Sequence, residues 1–538
     1  MLTRRDLLTG VGASVALGTV GSGCDDTATP AVADAGVPIY DSGPAVDGGP
    51  AVEMVDFLHG VASGDPLTDR VMLWTRVTPR MGVEGTAVVR WELSSTVDFA
   101  AIVSSGSFNT AAARDYTVKV DAGGLSAGTT YYYRFSVGAA RSPVGRTRTA
   151  PAGAVDRLRF AVVSCSSYAH GYFHAYRDVA ERADLDAVIH LGDYIYEFPN
   201  YLYGNVRTYD PPTPVVTLSD YRRRHAHYKR DADLRAAHQQ HPFITIWDDH
   251  EFANNTWRDG ADNHFPETEG AWSVRKAAAL QAYFEWMPIR ELPNGRIWRS
   301  FSFGNLVDLV MLDTRIWGRS MQEVEPTANP ARTLLGADQE QWLLGRVSTS
   351  TARWKVLGQQ VQVSPIRPDA NPDGWEGYPV ARTRFLQALT TMRSANVAVL
   401  TGDIHSSWAM DVAIDPFTPA AYNPATGQGS LGVEFITPAI TSPGDSPNAD
   451  GATFLSQNPH LRYANPALRG FMILDCTPAR LQASWFHLPA GSIEMRDRQR
   501  TAFSAAWSTL HGANRLSAGG EAAAPRDNPP ALAPWEPA

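Results

Sequence analysis

Four apolar stretches of this 538-residue chain run into side chains that bind cations or move protons. "LRFAVVSC" stops at Cys165. "DAVIHLGDYIYE" stops at Gly192-Asp193 and places Tyr196 three residues on. "FITIWDDHE" ends in Asp248, Asp249 and His250, and "VAVLTGDIHSSW" ends in Asp403 and His405. Each is ordinary when met alone: Gly-Asp pairs punctuate turns, and Asp-Asp-His suits a solvated loop. Four apolar strands that all end this way form a pattern, and metal chemistry accounts for the residue types. One carboxylate can bridge two cations about 3.5–4 Å apart. A phenol and a thiol, which titrate near pH 10 and 8.5 when free, need a strongly charged ion to hold them deprotonated. A ferric ion fits that mixed oxygen, sulfur and nitrogen set better than magnesium or calcium does. Asp249 and Asp403 offer oxygen alone and suit a hard divalent ion.

The elements around these residues change character along the chain. Residues 53–150 read as short alternating strands ("RVMLWTRVTP", "TAVVRWELSS", "DYTVKVDAG", "TTYYYRFSVG") with turn signals between them. An immunoglobulin- or fibronectin-like β-sandwich is expected there, ending near "PAGAVD" at 151–156. From 157 onward apolar strands alternate with helical segments at 173–183, 218–240, 271–287 and 381–395. That alternation predicts an α/β layered domain over about 155–495, with ligands gathered beyond the strand ends. No internal repeat and no Gly-rich phosphate loop interrupts it.

Length favours two or three folding units, and 44% hydrophobic residues allow a large core. A net charge of −9 gives no basic face for nucleic acid. "MLTRRDLL" and the soft, glycine-rich run after it resemble a twin-arginine (Tat) export signal over 1–24. "GSGC" resembles a bacterial lipobox that would lipidate Cys24, although Gly21 stands where an aliphatic residue is usual. Residues 25–52 read as a flexible linker and 496–538 as a partly disordered extension. The expected location is periplasmic, cell-surface or secreted, as a monomer. With three cysteines the chain is no disulfide scaffold. A Cys165–Cys476 bridge is conceivable in an oxidising compartment, and Cys476 otherwise reads as an inert core thiol. His225 and His227 read as a solvated helix surface. Tyr194, Tyr201, Tyr203 and Trp257 either wall a substrate entrance or simply pack.

Gly192-Asp193-x-x-Tyr196 resembles the signature of purple acid phosphatases, in which the aspartate bridges two metals and the tyrosine binds ferric iron. The whole set is more similar to the PhoD-type alkaline phosphatases and related phospholipase D enzymes of the metallophosphatase superfamily. "FLHGVASGDPLTDRVMLWTRV" (57–77), "VSCSSY" (163–168), "HLGDYIYE" (190–197), "IWDDHEFANN" (246–255), "MLDTR" (311–315), "TGDIHSSW" (401–408) and "EFITPAITS" (434–442) follow that family in its order. The resemblance implies Fe(III) on Cys165, Asp193, Tyr196 and His405. It also implies one or two Ca(II), with Asp193 bridging and Asp249 and Asp403 completing the site. Asp248 and Asn254 would be further ligands or neighbours. His250 would meet the phosphoryl group or the leaving oxygen, and Arg315 would either neutralise phosphate oxygens or pair with Asp313.

The implied reaction is hydrolysis of phosphate mono- or diesters by a metal-bound hydroxide, serving phosphate acquisition outside the cytoplasm. Ser166 and Ser167 then serve as loop polar groups and not as nucleophiles. Phospholipase D-type cleavage is the alternative, and an exported iron oxidoreductase or a non-catalytic surface binding protein are rivals from other classes.

Overall fold

The computed structural model describes residues 52–80, 84–323, 327–368, 370–392, 395–444 and 450–535. The export signal, Cys24 and nearly all of the linker lie outside the described residues. Two large mixed sheets form the centre of the molecule. The ten-stranded sheet runs Leu516–Ala518, Ala502–Leu510, Arg480–His487, Gly470–Cys476, Leu158–Val163, Ala187–His190, Pro242–Thr245, Val61–Gly64, Arg70–Arg76, Thr117–Gly123. The seven-stranded sheet holds Arg299–Phe303, Val307–Met311, Trp354–Gln359, Val397–Thr401, Ser430–Ile436, Ser407–Ala413 and Leu461–Asn465.

The central strands are buried on both faces and read as continuous apolar runs, as parallel strands between layers must. Their inner faces pack on one another: Phe160 meets Phe303 edge-on at 5.0 Å. Trp485 Nε1 donates across the interface to the Ile436 carbonyl at 3.0 Å. Helices cover the outside. Ala337–Thr349 and Pro379–Thr391 bury Leu343, Val347, Phe385 and Leu389 against the seven-stranded sheet. His174–Ala180, Leu218–Tyr228, Ala232–Gln240 and Trp272–Trp286 cover the other. The mixed helix-and-sheet layering expected after residue 155 is present.

Register explains why distant residues converge. Leu158–Val163, Ala187–His190 and Pro242–Thr245 are parallel, with Val163 opposite His190 and His190 opposite Thr245. In the second sheet Val307–Met311, Trp354–Gln359 and Val397–Thr401 are also parallel and in step. A parallel bridge between Ser164 and Ala439 joins the sheets at the same end. Cys165, Asp193, Asp248, Arg315 and Asp403 therefore all follow strands that finish together.

Three expectations about elements change. The N-terminal β region is not a closed unit, because Val61–Gly64, Arg70–Arg76 and Thr117–Gly123 extend the ten-stranded sheet. Gly145–Arg148, Thr130–Val137, Ala87–Ser94 and Ile102–Thr110 form the opposing sheet, with Ala140–Arg141 added at Thr130–Val137. The core between them includes Leu73, Val89, Val118, Tyr133 and Phe135. The segment 218–240 is two helices, since Asp231 is extended and its carboxylate caps Asp233 and Leu234 N–H groups. His225 is buried in it, stacked 14° off the Trp286 plane, which overturns the solvated reading.

The described residues of the C-terminal extension are built into the fold. Ala502–Leu510 pairs with Arg480–His487, and Leu516–Ala518 pairs with Ala502–Leu510. Beyond them, Tyr132 Oη donates to the Ala531 carbonyl, and Ala533 exchanges two hydrogen bonds with the Gln240 side chain. Ala533 also packs on Phe99 and Tyr132, so the tail ties the N-terminal strands to the helix Ala232–Gln240.

Candidate metal centre

Sharp turns at the strand ends aim the side chains. Cys165, Asp193, Asp403 and His405 all have φ between 55° and 63°, a region L-residues with a side chain seldom occupy. Such conformations cost about 1–3 kcal/mol each and persist where the surroundings impose them. Gly192 makes the second turn possible. Its φ is +108°, and a Cβ there would sit 2.4 Å from Asp248 Cβ and 2.5 Å from Asp248 N.

Three ligand groups emerge, each with donor atoms within 4.8 Å of one another: Cys165 with Asp193 and His405; Asp193 with Asp249 and His250; Asp248 with Asp249 and Asp403. Asp193 and Asp249 each belong to two groups, which is the sharing a multi-cation centre requires. Tyr196 joins the first group, donating through Oη to Asp193 Oδ2 at 2.9 Å and lying 3.4 Å from His405 Nε2. Ser442 Oγ donates to the same phenol oxygen at 2.6 Å. Burial, followed by the Asp193 charge, pushes both the Cys165 thiol and the Tyr196 phenol well above their ordinary values. Without a cation both are neutral there.

The donors fit bound cations on two counts. His405 Nδ1 lies 2.6 Å from the Pro443 carbonyl, which takes its N–H and leaves the Nε2 lone pair facing Cys165 and Asp193. Asp248 Oδ2 is buried and has no hydrogen-bond partner, although it belongs to a cluster of three carboxylates. A lone pair left so is costly unless a cation takes it. The thiolate–phenolate–imidazole set suits a ferric ion and the all-carboxylate set suits a hard divalent one.

His250 sits on the rim. Its Nδ1 lies 2.8 Å from Glu197 Oε2 and its ring stacks on Tyr196 at 4.2 Å. Burial alone would lower its pKa, but Asp249, Glu197 and Asp193 outweigh it and push it well above the usual imidazole range. Glu197 Oε1 in turn accepts from Asn254 N at 2.8 Å and Asn263 Nδ2 at 2.6 Å. For Asn254 the structure thus gives a backbone bond to Glu197.

Arg315 does pair near Asp313, but only through its backbone N–H, at 2.8 Å. Its guanidinium is fully buried and is spent on carboxylates. Nε donates to Asp248, Nη1 to both oxygens of Asp373 at 2.9 and 2.8 Å, and Nη2 to Asp403 at 2.9 Å. Asp249 lies 3.5 Å away. The arginine acts as a fixed cation inside the acidic cluster, which replaces the reading of a fork held open for phosphate.

Sequence reasoning missed several supports. Glu251 accepts from Asp193 N, Tyr194 N and Asp248 N at 2.6–3.0 Å and so locks two ligand loops together. Asp373, in the loop "NPDGWEG", anchors both Arg315 and Arg319, and no local signal marks it. Cys165 and Cys476 are both free and buried, so the disulfide is excluded. Ser166 and Ser167 are turned into hydrogen bonds with Tyr176 and with His170 and Tyr209. Tyr194 points away from the centre, to His238 and Lys229.

Residues 160–485 match the model of the PhoD-like phosphatase family, and residues 44–151 match that of its N-terminal domain. The chain belongs to the PhoD-like phosphatases. It is 40% identical over 481 residues to alkaline phosphatase D of Bacillus subtilis (strain 168), covering 82% of this chain and 79% of that protein. The solved structure of PhoD superposes with a TM-score of 0.80 at 37% identity, over 87% of this chain and 92% of that one.

Proposed function

We propose that this PhoD-like phosphatase hydrolyses phosphate esters with Fe(III) held by Cys165, Asp193, Tyr196 and His405. Calcium would lie on Asp193, Asp249 and Asp403, with Asp248 as a further ligand. The enzyme class, a phosphoric ester hydrolase, follows from family membership. The observation that carries the finer reading is the set of three overlapping ligand groups built on Asp193 and Asp249. When bound, the ions draw charge from the phosphoryl oxygens and lower the pKa of a coordinated water. Asp193 holds the two halves of the site at fixed separation, and Gly192 and Glu251 keep it there. His250, held by Glu197 and facing the carboxylates, carries a proton for the departing alkoxide, where charge collects. Arg315 fixes the unshared arms of Asp248 and Asp403. The "TRRDLL" start and lipobox-like "GSGC" support Tat export to the periplasm or cell surface, with Cys24 as lipid anchor. The two-sheet N-terminal region is consistent with an immunoglobulin-like origin.

Purified protein incubated with nitrophenyl phosphate, its bis ester and phosphatidylcholine tests the activity and ranks mono- against diester cleavage. Release of phosphate or alcohol supports the proposal, and none from any of the three overturns it. Elemental analysis and visible absorption test the iron separately. A charge-transfer band is expected that Tyr196→Phe abolishes, and a colourless, iron-free active protein removes the ferric assignment.

A further inference from the structure

One side of the centre is apolar and already built. Phe198, Tyr203 and His250 continue the ring stack that begins at Tyr196. Tyr203 lies 5.4 Å from Tyr196 at an interplanar angle of 17°, 5.9 Å from His250 and 4.7 Å from Phe198. His170 meets Tyr203 edge-on at 4.6 Å. Beside this half-buried ring, Tyr201 and Leu202 are 73% and 56% exposed. His250 Nε2 lies 3.9 Å from Asp249 Oδ2. The imidazole thus touches the carboxylate cluster through Nε2 and continues the ring stack through Tyr196.

The loop is held by buried hydrogen bonds. Buried Arg224 donates to the carbonyls of Tyr196, Phe198 and Pro211. Val206 N donates to the Ala169 carbonyl at 2.8 Å, which fastens the loop to the turn that carries Cys165. Gly204 approaches that turn so closely that a Cβ would lie 2.9 Å from the Ala169 carbonyl.

We infer that residues 198–204 form a leaving-group subsite that selects phosphate esters whose alcohol carries an aromatic or other apolar portion. This rests on the hydrolase reading above and on His250 marking where the leaving oxygen lies. An ester with its phosphoryl group among the carboxylates and its leaving oxygen at His250 carries its alcohol over Tyr203, towards Tyr201 and Leu202. An apolar alcohol gains by covering those rings, whereas a polyol gains nothing from them.

The test compares kcat/KM for phenyl phosphate, naphthyl phosphate and glycerol 3-phosphate in the metal-loaded enzyme and two variants. Tyr203→Ala is expected to lose about 10-fold on phenyl phosphate and under about 2-fold on glycerol 3-phosphate. The exposed pair Tyr201→Ser and Leu202→Ser, which leaves the buried stack intact, is expected to lower naphthyl phosphate turnover selectively. Equal losses on aryl and glycerol esters, or no loss in either variant, overturn the subsite. A wild-type enzyme that hydrolyses none of the three instead rejects the hydrolase reading itself.

Discussion

At the residue scale the centre depends on two groups that are not ligands. Gly192→Ala forces a methyl group against Asp248 and strains a backbone at φ +108°. We expect that variant to lose most of its bound metal and to melt several degrees lower, read by elemental analysis and calorimetry. Arg315 supplies the only guanidinium shown bonded to both Asp248 and Asp403 among the described residues. Arg315→Met removes the guanidinium that Asp248 and Asp403 share, while Asp373 keeps Arg319, and breaking such a buried set costs about 3–5 kcal/mol. Urea unfolding in EGTA should show that loss, and added calcium should restore part of it, because a divalent ion can take the vacated charge. Equal stability with and without EGTA would contradict the role given to Arg315.

At the element scale, legibility followed from what each pattern encodes. Cys165, Asp193, Asp249, Asp403 and His405 could be picked out because each ends an apolar run, and parallel strands bring such ends together. The break in 218–240 was hidden because Lys229 and Arg230 fit a helical charge pattern, whereas Asp231 was free to cap a new helix. His225 looked solvated among arginines because local charge says nothing about Trp286, which arrives from another helix. Asp373 and Glu251 were invisible as supports, since their partners are backbone groups and two arginines distant in sequence. The extension after 496 reads as tail because its strands, Ala502–Leu510 and Leu516–Ala518, are Ala- and Ser-rich. Asp231 gives this scale its prediction. It caps Ala232–Gln240 and pairs with Arg207 at 2.6 Å, so Asp231→Ala should cost about 1–2 kcal/mol in denaturant unfolding while metal content stays unchanged.

For the whole molecule, buried histidines set the pH range. Burial holds His59 near a pKa of about 2, and His225, His241 and His460 near about 3, against 6.5 in an unfolded chain. The unfolded state therefore binds more protons below pH 6.5, and stability rises with pH through that window. Above about 6.5 these groups are neutral in both states and contribute no slope. Below it each withdraws about 1.4 kcal/mol per pH unit until its folded pKa is reached. Urea midpoints should fall steeply from pH 6 to 4; a flat profile across that acid range would refute the sign. His225→Phe, which removes one such group, should make the acid limb shallower.

The order in which the ribosome delivers the chain adds a consequence of the C-terminal tie. The first-made strands, Val61–Gly64 and Arg70–Arg76, must wait for Pro242–Thr245 before they gain their inner neighbour. The opposite edge closes only with Ala502–Leu510 and Leu516–Ala518, and Ala533 reaches back to Phe99 and Tyr132 later still. The sandwich is finished only after Ala533 has been translated. Premature termination before Ala502 should leave an open sheet edge, and termination before Ala531 a loose N-terminal region, so quality control would see such truncated copies as unfinished however complete their ligand set.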